Sequence, residues 1–471
     1  MFPGSATRAP ATRDQADAYR FGLRRMEAAL VRGDPVPLHE QIRAQRRASL
    51  AGVVLGLLGL CGTAVYAAFV PSPNWRAQSV VVGAGSGAMY AVVHGPDRLV
   101  PVADLPAARL VLAALGDPDA GRATPEMVPD ASLDGAPRTP TAAVAGAVGV
   151  RTGAMAAGSW AVCDEVDADG RVRATTVVGG AALAPHPGVD VLLAGPDDTT
   201  WLVTGGARHR VDTGDGRLRA AFRLTDELPR AATAALVSSL PEGPALATPE
   251  VAGRGDPAPA GVPGRVGDVL VDRPVHGGPR FLVVLRGGLQ EVPAVLAELL
   301  RVASGAREVR PVDADVLGTA RFVDDLPVAG WPTAAPRLQE PDQAPVTCWT
   351  WSVDGPPAGG VWTGTAVPSA PGAATVALAQ ADGTGERVDA VTVGAGGAVR
   401  ATAPGRAPGA GPLWLVSGSG VASGVADDAT AVALGVTAAG PAPEAALRLL
   451  PTGPVLDLAQ AGRVVDVLRS G

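Results

Sequence analysis

Glu165, Asp167 and Asp169 alternate with Val166 and Ala168 ahead of Gly170. Alternating carboxylates before a glycine open a calcium-binding loop, which closes on a bidentate glutamate at its twelfth position. Here the twelfth position is Thr176, and no helical pattern flanks the segment. It is therefore read as a hairpin turn between two strands. A second candidate is Gly83-Ala-Gly85-Ser-Gly87. Glycines in such a run can let backbone N–H groups cradle phosphate. This run leads into strand-like sequence, so no helix N-terminus is available to the anion. A Walker-type loop also needs a lysine. The chain has none, and all 39 of its basic residues are arginine. A Gly-x-Ser-x-Gly nucleophile elbow is absent as well.

The five histidines, His39, His94, His186, His209 and His276, are scattered. None forms the two-histidine helical spacing of a zinc protease. His209 stands between Arg208 and Arg210, a poor place to bind a cation. Of three cysteines, Cys61 lies in an apolar run and reads as a small apolar residue. Cys163 and Cys348 sit in mirrored contexts, Trp160-Ala-Val-Cys163 and Cys348-Trp349-Thr-Trp351. No catalytic residue, metal site or cofactor is expected.

The elements that position these residues begin with a membrane span. Residues 49–70 carry no charge over 22 positions. A helix of that length covers about 33 Å, enough for a bilayer core of about 30 Å. Arg43, Arg46 and Arg47 precede the run, and Pro71 and Pro73 follow it. The first 48 residues hold nine arginines against five acids, so the positive-inside rule places them in the cytoplasm and the large remainder outside. A cleaved signal peptide would start closer to the N-terminus and have a shorter apolar core. Outside, oxidation is permitted, and one Cys163–Cys348 bridge is expected. A net charge of −7 argues against a general nucleic-acid binder.

Residues 14–30 read as a basic amphipathic helix ended by Gly33-Asp34-Pro35, with Phe21, Leu23, Met26 and Leu30 expected near one face and Arg20, Arg24 and Arg25 largely elsewhere. A second helix, 38–47, is expected to lead into the span. The basic helix is either a solvated face that enforces topology or a docking surface for a partner or anionic headgroups.

The outer region repeats itself. Trp201-Leu-Val203 returns as Trp414-Leu-Val416, 213 residues on, and Leu240-Pro-Glu-Gly-Pro-Ala-Leu246 returns as Leu450-Pro-Thr-Gly-Pro-Val-Leu456, 210 residues on. Looser copies, Gly87-Ala-Met-Tyr90-Ala-Val-Val93 and Gly278-Pro-Arg-Phe281-Leu-Val-Val284, each lead to a helical stretch, 106–115 and 295–302. Each unit reads as strands followed by a helix, with the aromatic buried under that helix. Residues 159–180 and 346–393 are rich in Val, Thr and Trp and read as strands with turns at Asp169-Gly170 and Asp382-Gly383. The cysteines fall one in each. The fold expected is α+β: a single-pass membrane protein with an N-terminal cytoplasmic amphipathic helix, one transmembrane helix, and an elongated outer region of four α/β repeats around a discontinuous central β domain. The boundaries expected are a cytoplasmic segment 1–48, a span 49–70, repeats over 71–140, 188–255, 256–340 and 394–471, and a central domain from 141–187 and 341–393.

The block Tyr19-Arg20-Phe21-Gly-Leu23-Arg24-Arg25-Met-Glu27-Ala-Ala-Leu30-Val-Arg32-Gly-Asp34 resembles the signature of the EccB family, a membrane subunit of the actinobacterial type VII (ESX) secretion system. So do Arg43-Ala-Gln-Arg46-Arg47, the single span, Ser86-Gly-Ala-Met-Tyr90 and the pair Trp160-x-x-Cys163 and Cys348-x-x-Trp351. The resemblance runs along almost the whole chain. It implies a scaffold in a core assembly with EccC, EccD, EccE and the mycosin protease, and a homo-oligomer, a dimer within a larger ring. Tyr19, Arg20, Phe21, Arg24, Arg25 and Leu30 are the expected partner-binding residues. It also implies four related repeats tied by one disulfide. Two other activities ascribed or suggested for the family are peptidoglycan contact and ATP hydrolysis. For the second the sequence offers no nucleotide loop. Seventeen aromatics, most of them expected in cores, leave few for a wall-binding surface.

Overall fold

A computed structural model describes residues 12–32, 38–69, 74–146, 149–155, 158–181, 183, 189–352, 359–370, 372–382, 387–403, 406 and 409–469. The helix stop at Gly33-Asp34-Pro35, the prolines after the span, His186 and Gly383 lie outside these. The chain divides into two compact units, 1–73 and 74–471.

In the first unit, helix α1 runs Arg13–Arg32. Thr12 and Gln15 cap it reciprocally: the Thr12 N–H donates to Gln15 Oε1 at 3.1 Å, and the Gln15 N–H to Thr12 Oγ1 at 3.4 Å. Helix α2 runs Leu38–Phe69 without a break. Its stretch Ala44–Tyr66 is long and apolar enough to cross a bilayer and is not buried among the described residues. Thr63, polar within that stretch, returns its hydroxyl to the Leu60 carbonyl at 2.9 Å. A hydrocarbon layer would require that internal partner.

In the second unit the chain first lays down β1 (Val80–Gly83), β2 (Met89–Val93), β3 (Arg98–Val102), α3 (Leu105–Ala114), β4 (Pro125–Val128) and α4 (Asp130–Leu133). Two strands of a larger sheet follow, β5 (Ser159–Val166) and β6 (Val172–Ala181). Then come β7 (Val191–Ala194), β8 (Thr200–Thr204), β9 (Ala207–Val211), α5 (Gly216–Phe222), β10 (Arg230–Ala231) and α6 (Ala234–Ser239). The next set is β11 (Val269–Asp272), β12 (Arg280–Leu285), β13 (Gly288–Val292), α7 (Ala294–Ser304), β14 (Arg310–Pro311) and α8 (Ala314–Thr319). The larger sheet resumes with β15 (Val346–Trp351), β16 (Gly360–Gly364), β17 (Thr375–Ala377) and β18 (Ala390–Val393). The last set is β19 (Gly397–Thr402), β20 (Leu413–Val416), β21 (Ala422–Gly424), α9 (Asp428–Ala433), β22 (Gly440–Pro443) and α10 (Glu444–Leu447), before α11 (Leu458–Arg469).

Four sheets share one order, third-second-first-fourth, with the fourth strand parallel to the first. A crossover helix makes that parallel return possible. Each such module carries its first helix on one face and a short second helix on the other. The two faces build different cores. First helices meet between modules: Leu110 and Val111 of α3 pack with Leu415, Leu434 and Leu456, and Leu218 and Phe222 of α5 pack with Val295 and Leu299 of α7. Module one thus shares a core with module four, and module two with module three. The second helices of modules two and four, through Leu236 and Leu447, pack on the six-stranded sheet β16-β15-β5-β6-β18-β17 beside Trp160, Val162 and Val391. Each such fully buried large apolar side chain contributes about 1.5–3 kcal/mol.

This arrangement corrects where the module aromatics sit. Strand side chains alternate faces. Tyr90 therefore leaves the α3 face and packs with Trp75 and Leu133 of α4. Trp201 and Trp414 border the core under α6 and α10, and only Phe281 borders the core holding its first helix, α7.

Candidate functional site

Helix α1 presents its apolar residues to solvent. Tyr19 is 69 % exposed and Leu30 87 %, so the first unit itself covers neither. At about 100° per residue, Tyr19, Leu23, Met26 and Leu30 fall on one stripe. Phe21 does not join it. Two residues past Tyr19, it projects from the opposite side of the helix, which corrects the expectation of a common face with Leu23. Arg20 lies beside the stripe, 4.0 Å from Asp17. Arg24 and Arg25 lie on the same exposed helix.

In the second unit, Cys163 of β5 and Cys348 of β15 are direct cross-strand partners and form a disulfide. It lies on the sheet face away from α6 and α10, packed with Ala161, Val178 and Val346. The next residue, Asp164, points to the other face and is buried. It accepts hydrogen bonds from the Thr233 N–H at 2.7 Å, from Thr233 Oγ1 at 2.9 Å and from Thr175 Oγ1 at 2.9 Å. Thr233 is the N-cap of α6. One carboxylate thus ties module two to the central sheet. Burial pushes the Asp164 carboxyl up to about 6, against the opposing pull of those hydrogen bonds.

Two buried arginines tie other joints. Arg109 of α3 donates to the Ala123 carbonyl, to Thr152 Oγ1 at 3.0 Å and to the Leu434 carbonyl at 2.6 Å, just past α9. Arg230 of β10 donates to Thr347 Oγ1 of β15 at 2.5 Å and to the carbonyls of Ala344 and Gln339. Burial brings Arg230 down to about 10, so it remains a cation at neutral pH.

The candidate chemical loops are occupied by the protein's own groups. In the Gly83–Gly87 turn, the Gly85 and Ser86 N–H groups and Ser86 Oγ all donate to the Asp130 carboxylate, at 2.6, 3.2 and 2.5 Å. Ser86 and then Gly85 hold that carboxyl below its usual range. A Cβ at Gly83 would stand 2.2 Å from Asp130 Oδ1, which is why glycine serves there. Asp167 accepts from the Asp169 and Arg171 N–H groups, closing a hairpin between β5 and β6, and Glu165 pairs with Arg173 at 2.6 Å. His209 is buried with Nδ1 2.9 Å from the Pro244 carbonyl, and His94 lies 2.9 Å from Asp97. His276 is exposed in the β11–β12 connection, and His39 lies in α2. Among the described residues no three His, Cys, Asp or Glu converge to hold a metal ion.

The profile described as "Type VII secretion system ESX-1, transport TM domain B" matches residues 8–470. The chain belongs to the EccB family. This EccB-family chain is 31 % identical to the "ESX-5 secretion system ATPase EccB5" of Mycobacterium tuberculosis (strain ATCC 25618 / H37Rv), over 96 % of its own length and 92 % of the relative's. Its fold matches a chain of the intact ESX-5 inner membrane complex with a TM-score of 0.68 at 29 % identity, covering 97 % of this chain and 96 % of that one. It also matches the EccB3 dimer from the ESX-3 core complex with a TM-score of 0.66 at 27 % identity, covering 82 % and 99 %.

The pattern of the sequence missed the buried polar ties of this EccB-family chain. Two of the three had a signal: Asp164 is a charge inside a largely apolar strand, and Arg109 is the one charge in α3.

Proposed function

We propose that the chain is the membrane-anchored scaffold of an ESX secretion complex, assembling and stabilising the core complex on the extracytoplasmic side. The observation that carries this is the construction of the outer unit. Modules two and four pack on one disulfide-tied sheet, and modules one and three share cores with them. Buried ties hold module two to the sheet and module one to module four, and the Gly83–Gly87 and Asp167–Arg171 loops are spent on internal hydrogen bonds. Such a body is built to hold a shape. The N-terminus is on the cytoplasmic side, and α1 docks a cytosolic or membrane-embedded subunit through the stripe of Tyr19, Leu23, Met26 and Leu30, with Arg20, Arg24 and Arg25 supplying charge and Phe21 a contact on the far side. Self-association as a dimer fits the fold's likeness to a dimeric relative. Deleting residues 13–32 should release the chain from the complex in native gels of solubilised membranes. Retention at full size would refute the docking role.

The relative's name supplies a second reading, an ATPase. The purified full chain, free of other subunits, should show no ATP turnover above buffer. Turnover abolished by a point substitution in this chain would make the enzyme reading the better one.

A further inference from the structure

The third module carries a cavity that none of these roles uses. It is a cleft open to solvent, of about 460 Å³, lined by Val271, Arg273, Pro279, Phe281, Arg301, Arg307, Glu308 and Val309. That volume lies within the range of small-molecule sites. Its floor is apolar, with Val271 buried and Phe281 and Val309 partly so. Its rim is cationic. Arg301 is fixed, paired with Glu298 at 2.6 Å and donating to the Ala306 carbonyl at 2.5 Å. Arg273 and Arg307 are exposed and form no ion pair among the described residues. Among the described residues Glu308 is the single carboxylate on the lining.

Guanidinium forks match carboxylate and phosphate oxygens two at a time, and an apolar floor receives the body that carries them. We propose that this cavity binds an organic anion, a phosphate or carboxylate on a compact apolar body, with Arg273 and Arg307 gripping the charge and Phe281 packing against the body. Exposed single pairs are weak, so both arginines contribute, and binding falls with salt. Glu308 opposes the ligand and sets an upper limit on its affinity.

The test uses the full chain in neutral detergent and titrates phenyl phosphate by calorimetry. Saturable binding is expected in the range of about 1 mM. Arg273→Ala and Arg307→Ala should each weaken it about tenfold, a loss of about 1.4 kcal/mol. Glu308→Gln should tighten it, which no loss of folding could imitate. Arg210→Ala, on β9, should change nothing. Preference for phenyl phosphate over benzoate would assign a phosphate ester, and the reverse a carboxylate. Absence of saturation at about 10 mM for both probes, or the same affinity in the two arginine variants and Glu308→Gln, would overturn the site.

Discussion

Cys163 and Cys348 face each other in register on neighbouring antiparallel strands, although 185 residues separate them in the chain. Modules two and three are threaded entirely within that loop. Their return to the sheet is therefore fixed at one covalent point, and the sheet cannot lose β15 without carrying both modules with it.

Replacing both cysteines by serine should lower the stability of the outer unit by about 2–5 kcal/mol, since closing so long a loop removes much of the unfolded chain's freedom. Urea denaturation with and without reductant reads this directly. The wild-type midpoint should fall on reduction and the double variant's should not move.

Asp164 gives a pH dependence with a definite sign. Its folded pKa of about 6 is raised above the ordinary 3.8, so the folded protein holds a proton that the unfolded chain releases. Stability from this group is full below about pH 4 and is lost as pH rises to about 6, on the order of 2–3 kcal/mol. Asp164→Asn should flatten the denaturation midpoint across that window. An unchanged slope would deny the assignment.

Arg109→Met keeps the side-chain stem but strands the Ala123 and Leu434 carbonyls. Unmet buried acceptors cost about 1–3 kcal/mol each. The joint between modules one and four should open first, seen as faster amide exchange in α3 and α9 than in α5 and α7.

On α1, Leu23→Ser with Leu30→Ser should weaken retention in the complex more than Phe21→Ser does, because the first pair lies on the stripe and Phe21 lies across the helix. Co-purification from solubilised membranes measures it. Equal losses would argue that the whole circumference docks.

The long apolar helix was legible because an uncharged run of that length stands out in composition, and the disulfide because two cysteines beyond that run were left to pair. The fourth strand of each module was not. Arg230–Ala231 and Arg310–Pro311 are two residues each, and Pro125–Val128 and Gly440–Pro443 contain proline, so neither length nor alternation marks them. Their pairing is set by the crossover helix, a tertiary cause. The second helices, four to six residues long, hide for the same reason. Asp130 shows the limit at the candidate loops. Only the fold brings it to Gly85, 45 residues away, to occupy the donors a phosphate would need.

On the proposed function, residues 74–471 hold the assembly together. The most direct measurement is the size, in native gels of solubilised membranes, of the complex formed by a chain ending at residue 73, which keeps α1 and the span. The complex should break into smaller pieces although the shortened chain stays in the membrane. A complex that otherwise keeps its size and composition would contradict it.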